Sequence, residues 1–208
     1  MRYHRPTVKV IALLLTLCSP ALAQDAATAP PTLYKVEVDN AWVRVLRLRL
    51  EPHHKAPRRS HPAEVVVWIT QQPGRTAFRP AGSDVDENPS NAPLEQAIID
   101  LKQQPPTSTL IALDPVVIDP EYHKVLLDNQ YVRAIRTVLE PGIKSPLHEH
   151  PHYVVVYITE LHTTMKLGDG REVDNPRHAG DIGWRDYMKH ETLNIGKQTA
   201  VEIQVELK

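Results

Sequence analysis

Most apolar residues of this chain alternate with polar ones or sit in short β-branched runs. WVRVLRLRL (42–50), EVVVWIT (64–70), TLIAL (109–113), HKVLL (123–127), YVRAIRTVL (131–139), YVVVYIT (153–159) and TAVEIQVEL (199–207) all read as strands. Proline and glycine punctuate them. The 19 prolines in 208 residues are about twice the usual ~5%, which suits many short strands and ordered turns. One segment reads as a helix. From Leu94 to Gln104, residues Leu94, Ala97, Ile98 and Leu101 form an apolar stripe, with Asn91 and Pro93 as a start signal. The pattern predicts an all-β protein with one short helix.

An internal repeat organises the body. Sliding the chain by 89 residues lays YKVEVDNAWVRVLRLRLEPHHKAPRRSHPAEVVVWIT over HKVLLDNQYVRAIRTVLEPGIKSPLHEHPHYVVVYIT without a gap. The Asp-Asn turn, Val-Arg, Leu-Glu-Pro, His-Pro, Val-Val-Val and Ile-Thr all recur. Two copies of one β unit are implied, one over 33–113 and one over 114–208.

The N-terminus has a different character. Arg2, Arg5 and Lys9 precede an apolar run from Val10 to Cys18, and Ala21-Leu22-Ala23 forms a small-x-small site before Gln24. That is the pattern of a secretory signal peptide over 1–23, with export to a bacterial periplasm as the expectation. The run is well short of the roughly 20 residues of a membrane span, so no membrane association is expected after cleavage. Residues 24–32 read as a flexible Ala/Pro/Thr-rich leader. Cleavage removes Cys18, the only cysteine, so the mature chain has neither a disulfide nor a thiolate. It also leaves 21 basic against 25 acidic residues, a net charge of −4. That is no footprint for nucleic acid.

The candidate chemistry lies in the second copy. In a strand, side chains two apart share a face, so His148 and His150 in LHEHPHYVVVYIT point the same way. His190, before the strand-like ETLNI, is the third candidate ligand. Three imidazoles suit one divalent transition metal (Fe, Zn, Ni or Mn) and leave positions open for a small molecule. In the first copy Arg59 replaces His148, His61 matches His150, and no histidine follows in 62–120. By strand parity Glu64, three residues from His61, falls on the opposite face. His53 and His54 read as solvated loop residues, and His123, His162 and His178 as isolated and exposed. Arg44 and Arg133 occupy equal repeat positions. They pair with the Asp-Asn turns at Asp39 and Asp128, or Arg133 takes a substrate carboxylate. Tyr153, Tyr157 and Trp184 read as core or pocket lining.

The frame of Gly142, His148 and His150, then Gly180, His190 and Asn194, resembles the two motifs of the cupin superfamily. The tandem copies make the chain similar to a bicupin, and the pattern is similar to small cupins associated with β-alanine breakdown. The resemblance implies two tandem double-stranded β-helix (jelly-roll) domains, the first degenerate and the second carrying the metal site. It departs from the family in two places. The glutamate expected four residues after His150 is Val154, and the second motif lacks its Pro-x-Gly. Three ligand sets therefore stand open: three histidines, a set including His152, and no metal. Cupins include dioxygenases and isomerases, so a metal-dependent enzyme, dioxygenase-like, on a small molecule is one expectation. The other is a non-catalytic binding or interaction module. Homodimerisation is common in the family and is open here.

Overall fold

A computed structural model of the chain describes Met1 and residues 33–103 and 111–208. Apart from Met1, the segments expected to be a signal peptide and a leader lie outside the described residues. No helix among the described residues is long and apolar enough to cross a membrane.

Each copy forms a β-barrel of two facing sheets. The first copy comprises β1 (Tyr34–Asp39), β2 (Val43–Leu50), β3 (Arg59–His61), β4 (Glu64–Trp68), β5 (Thr76–Arg79), β6 (Gly82–Asp84) and β7 (Leu94–Leu101). Its larger sheet runs β1-β2-β7-β4-β5, and β3 pairs with β6 opposite. After the four-residue helix α1 (Pro115–Ile118), the second copy comprises β8 (His123–Asp128), β9 (Val132–Leu139), β10 (Lys144–His150), β11 (Tyr153–Tyr157), β12 (Leu161–Leu167), β13 (Glu172–Arg177), β14 (Ile182–Arg185), β15 (Met188–Asn194) and β16 (Ala200–Leu207). Its sheets run β8-β9-β16-β11-β14 and β10-β15-β12-β13. Every pairing in both copies is antiparallel.

The Val-Val-Val runs follow from burial on both faces. In β2, Leu46, Leu48 and Leu50 fill the first barrel, while Val43 and Val45 face the second copy. In β11, Tyr153, Val155 and Tyr157 point into the second barrel. Val154 and Val156 join Val43, Val45, Val65, Val67, Ile99, Ile203 and Val205 in one cluster drawn from both copies. The larger sheets thus pack face to face. Val154, at the position of the expected glutamate, therefore lies between the barrels and not at the histidines.

Polar contacts rim this interface with pseudo-twofold symmetry. Arg47 Nη2 donates to Gly180 O at 2.6 Å. Its repeat equivalent Arg136 lies against Gly74, the counterpart of Gly180. Both glycines have positive φ, 81° and 87°, and a β-carbon on Gly74 would collide with the Arg136 guanidinium. The positive φ is what favours glycine there, since the Arg136 head group ends a flexible side chain that can give way.

The helix expected over 94–104 is not formed. Leu94–Leu101 is β7, a central strand between β2 and β4. With both faces of this strand buried, its apolar residues fall on both faces, and helical spacing arises among them by accident. Gln96, Ile98 and Asp100 share one face of β7, and Ala97 and Ile99 the other. The strand's counterpart is β16, displaced by 106 residues rather than 89, as the pairings Leu50↔Leu94 and Leu139↔Ala200 show. The β12–β13 hairpin, present only in the second copy, accounts for the difference. Of the strand expected over 109–113, residues 111–113 are irregular and the rest lie outside the described residues.

Candidate metal centre

Antiparallel pairing of β10 with β15 sets His148 directly opposite His190. His150 shares the inward face of β10 with His148, as parity predicts. All three imidazoles are buried, with 2%, 0% and 4% of their surface exposed. Among the described residues they form the one group of histidine, cysteine or acidic side chains arranged to hold a metal, with ligand atoms within 4.8 Å of one another.

The hydrogen bonds aim the rings. His148 Nδ1 is 2.6 Å from Pro146 O, which can only accept, so Nδ1 carries the proton and Nε2 the lone pair. His150 Nδ1 donates to Glu206 Oε1 at 2.7 Å. Its Nε2 is buried with no hydrogen-bond partner among the described residues. An orphaned imidazole nitrogen is costly unless something binds it. His148 Nε2 and His190 Nε2 lie 3.0 Å apart. Two nitrogens at ~2.1 Å from one ion and at right angles to each other stand about 3.0 Å apart. The donor set and its spacing therefore fit a transition metal.

Electrostatics favour the neutral, ligating forms. Burial, followed by the neighbouring His150, pulls the pKa of His148 from 6.5 down to about 3. Burial likewise holds His190 well below the ordinary range.

A layer of charges supports the ligands. Arg133 Nε donates to Glu206 Oε2 at 2.7 Å, and its Nη1 to Asp114 Oδ2 at 2.7 Å. Asp114 is also the N-cap of α1, accepting from Val116 N at 3.0 Å. A relay thus runs from α1 through Arg133 and Glu206 to His150. Arg133 therefore meets neither expectation. It contacts Glu206 and Asp114 rather than Asp128, which pairs with Lys208, and both its ion pairs are internal. Arg44 does face its turn, with Nε 3.7 Å from Asp39.

Several other residues sit where the sequence did not suggest. His123 is 1% exposed, with its ring centroid 5.2 Å from that of His148. It is neither isolated nor exposed, and burial lowers its pKa to about 4. His162 and His178 are exposed, as expected, and His162 pairs with Asp174. So are His53 and His54. His152 is no ligand. It stacks between Trp42 and Trp184 with centroids 6.3 and 5.7 Å away. Pro151 breaks the strand between β10 and β11, so parity counted from His150 fails beyond it. The same break at Pro62 overturns the expectation for Glu64, which lies inside the first barrel, 3.5 Å from His61 Nδ1. Asn194 is a clamp. Its side chain donates to Leu139 O and Gln198 O and accepts from Gly196 N, at 2.8–2.9 Å.

Beside His190 the barrel interior holds a narrow cavity of about 20 Å³. Tyr153, Tyr157, Arg185, Glu202 and Thr137 line it. Burial raises the pKa of Glu202. Sequence reasoning missed Arg185, Glu202 and Glu206. They come from β14 and β16, distant in sequence, and only the alternation within TAVEIQVEL marks Glu202, Gln204 and Glu206 as one face.

No protein-family model and no curated protein matches the chain by sequence. Solved structures do match its fold. AerE from Microcystis aeruginosa aligns over 85% of this chain and 97% of its own, with TM-score 0.61 at 11% identity. Oxalate decarboxylase from Bacillus subtilis, an enzyme with Mn(II) centres, aligns over 80% and 69%, with TM-score 0.54 at 16% identity. A cupin 2 conserved barrel domain protein from Leptotrichia buccalis aligns over 85% and 88%, with TM-score 0.52 at 8% identity. At such identities the likeness concerns the fold. The shared fold is the jelly-roll barrel of these cupin-barrel structures, built here as two tandem barrels in one chain.

Proposed function

We propose that the second barrel binds one divalent transition metal (Fe, Zn, Ni or Mn) through His148, His150 and His190, and acts there on a small molecule as a metal-dependent oxygenase or isomerase. The observation that carries this reading is the buried convergence of three imidazoles, with His148 and His150 each fixed through Nδ1. A bound ion would supply Lewis acidity or a dioxygen-activating centre, according to its identity. The chain's own part is to position and to exclude water. Pro146 O and Glu206 hold the rings, and Arg185 and Glu202 place a cation and a carboxyl whose pKa burial raises in the adjoining cavity. The cavity is only slightly larger than the ~10–15 Å³ needed for one water, so the substrate is small or the lining yields to admit it. That narrowness also favours a second reading, a metal-holding barrel without catalysis.

The test is metal analysis of the purified mature chain, repeated for H148A and H190A. Stoichiometric metal in the wild type and its loss in both variants is the expected result. A wild type that is metal-free and refuses Fe, Zn, Ni and Mn on titration would overturn the proposal. Dioxygen-uptake screening of the loaded protein then separates the catalytic from the non-catalytic reading. The basic, apolar and small-x-small order of residues 2–23 supports export to a periplasm. N-terminal sequencing of the mature protein, expected to begin at Gln24, tests that part.

A further inference from the structure

Arg79 and Arg185 hold the same place in the two barrels. β5 sets Arg79 opposite Glu64, and β14 sets Arg185 opposite Tyr153, the repeat counterpart of Glu64. In the first barrel the chain itself supplies carboxylates to this arginine. Arg79 Nη2 lies 2.6 Å from Glu64 Oε1, and its Nη1 lies 2.8 Å from Asp86 Oδ1. In the second barrel both carboxylates are gone. Tyr153 stands for Glu64. Thr192 stands for Asp86, each two residues beyond the matched pair His190 and Asp84. The asparagines a further two residues on bear out the register, since Asn88 donates to Leu50 O and Asn194 to Leu139 O.

Arg185 is left with neutral partners. Its Nη1 donates to Trp184 O at 3.2 Å and its Nη2 to Tyr157 OH at 3.4 Å, both long for a guanidinium. It forms no ion pair with a carboxylate among the described residues. Glu202 lines the same cavity and feels the positive charge, but is not paired with it. His190 lines that cavity too, so the guanidinium and the candidate metal centre border one space. A half-buried guanidinium without a counter-charge is costly, and the two oxygens of a carboxylate match its fork. The remaining lining sets what the carboxylate is attached to. Val155, Leu161, Met165 and Ala200 are apolar, and Arg185 is the one cationic side chain there. A second carboxylate would find no partner.

We infer that the second barrel takes a small monocarboxylate with a short apolar chain, its carboxylate seated on Arg185 as those of Glu64 and Asp86 are seated on Arg79. The cavity of about 20 Å³ holds little more than one water. Entry therefore displaces side chains, and Arg185 on its two long hydrogen bonds and the unbranched Met165 are suited to give way. Calling the monocarboxylate a substrate rests on the proposed metal centre, whereas the seat itself does not. The test accordingly uses the full mature chain dialysed free of metal. Acetate is titrated at constant ionic strength, and binding is read by ligand-observed NMR and by the melting temperature. Acetate is expected to bind and to raise the melting temperature, and the neutral acetamide to do neither. Oxalate, with two charges for one guanidinium, is expected to bind more weakly than acetate. R185Q is expected to weaken acetate binding about 10–100-fold, the worth of a charge-assisted hydrogen bond. Without ligand, R185Q is expected to melt close to wild type and R79Q well below it, because only Arg79 has carboxylates of the chain to abandon. A wild type indifferent to acetate, acetamide or oxalate bound as tightly as acetate, or R185Q binding acetate within about threefold of wild type overturns the inference. So does an R185Q that fails to fold or melts as low as R79Q, since its arginine would then serve the fold. Acetate held through Arg185 by a chain that refuses metal would uphold the seat and count against the metal centre alone.

Discussion

Replacing Glu206 by glutamine tests the support of the metal centre without touching a ligand. Glu206 is 2% exposed. It accepts from His150 Nδ1 at 2.7 Å through Oε1 and from Arg133 Nε at 2.7 Å through Oε2. Glutamine keeps the shape but offers one acceptor and one donor. If its oxygen serves His150, its amide meets Arg133 donor to donor. If its oxygen serves Arg133, its amide meets the His150 N–H, and the ring is no longer held in the tautomer that leaves Nε2 free. Either way the charge that strengthens the hydrogen bond is gone. Loss of such an outer partner costs about 10–100-fold in metal affinity, or roughly 1.4–2.8 kcal/mol. The fold loses roughly 1–3 kcal/mol as well, because Arg133 stays paired only through Asp114. The assay is competition with a chelator of known affinity, at a protein concentration where circular dichroism shows both proteins folded. A folded E206Q with metal affinity within about threefold of wild type, against H190A with none, would refute the argument that the carboxylate tunes the site.

Two further outcomes follow from burial. In the metal-free chain, burial holds His148 near pKa 3, His123 near 4 and His190 well below 6.5, whereas the unfolded chain protonates all three near 6.5. Below that pH the unfolded state takes up protons that the folded state refuses. Stability present above pH ~6.5 is therefore lost as the pH falls toward ~3–4, each histidine adding at most about 1.4 kcal/mol per pH unit. Urea denaturation at a series of pH values checks this, and stability that is flat or rises on acidification from pH 7 to 5 contradicts it. N194A leaves the carbonyls of Leu139 and Gln198 and the amide of Gly196 without their partner. Its unfolding free energy should fall by roughly 1–3 kcal/mol, and a loss below about 0.5 kcal/mol would show that the clamp is not structural.

Period-two alternation, the Val-Val-Val runs and the ungapped repeat were enough to read an all-β chain of two copies. The same information marked His148 and His150 as one face, because parity is a local property of a continuous strand. Where a proline interrupts the strand, parity ceases to count. That is why Glu64 and His152 were misplaced, and why the missing glutamate at Val154 proves to belong to a buried interface between the barrels. Segment Leu94–Leu101 misled for a related reason. With both faces buried its apolar positions carry no period, and only pairing with β2 and β4 makes it a strand. The tertiary structure alone decided which distant residues meet. It brought His190, Glu206 and His123 to His148 and His150. Those meetings depend on cross-strand register between segments tens of residues apart. Register is set by which whole faces can be buried together, and no short stretch of sequence records that.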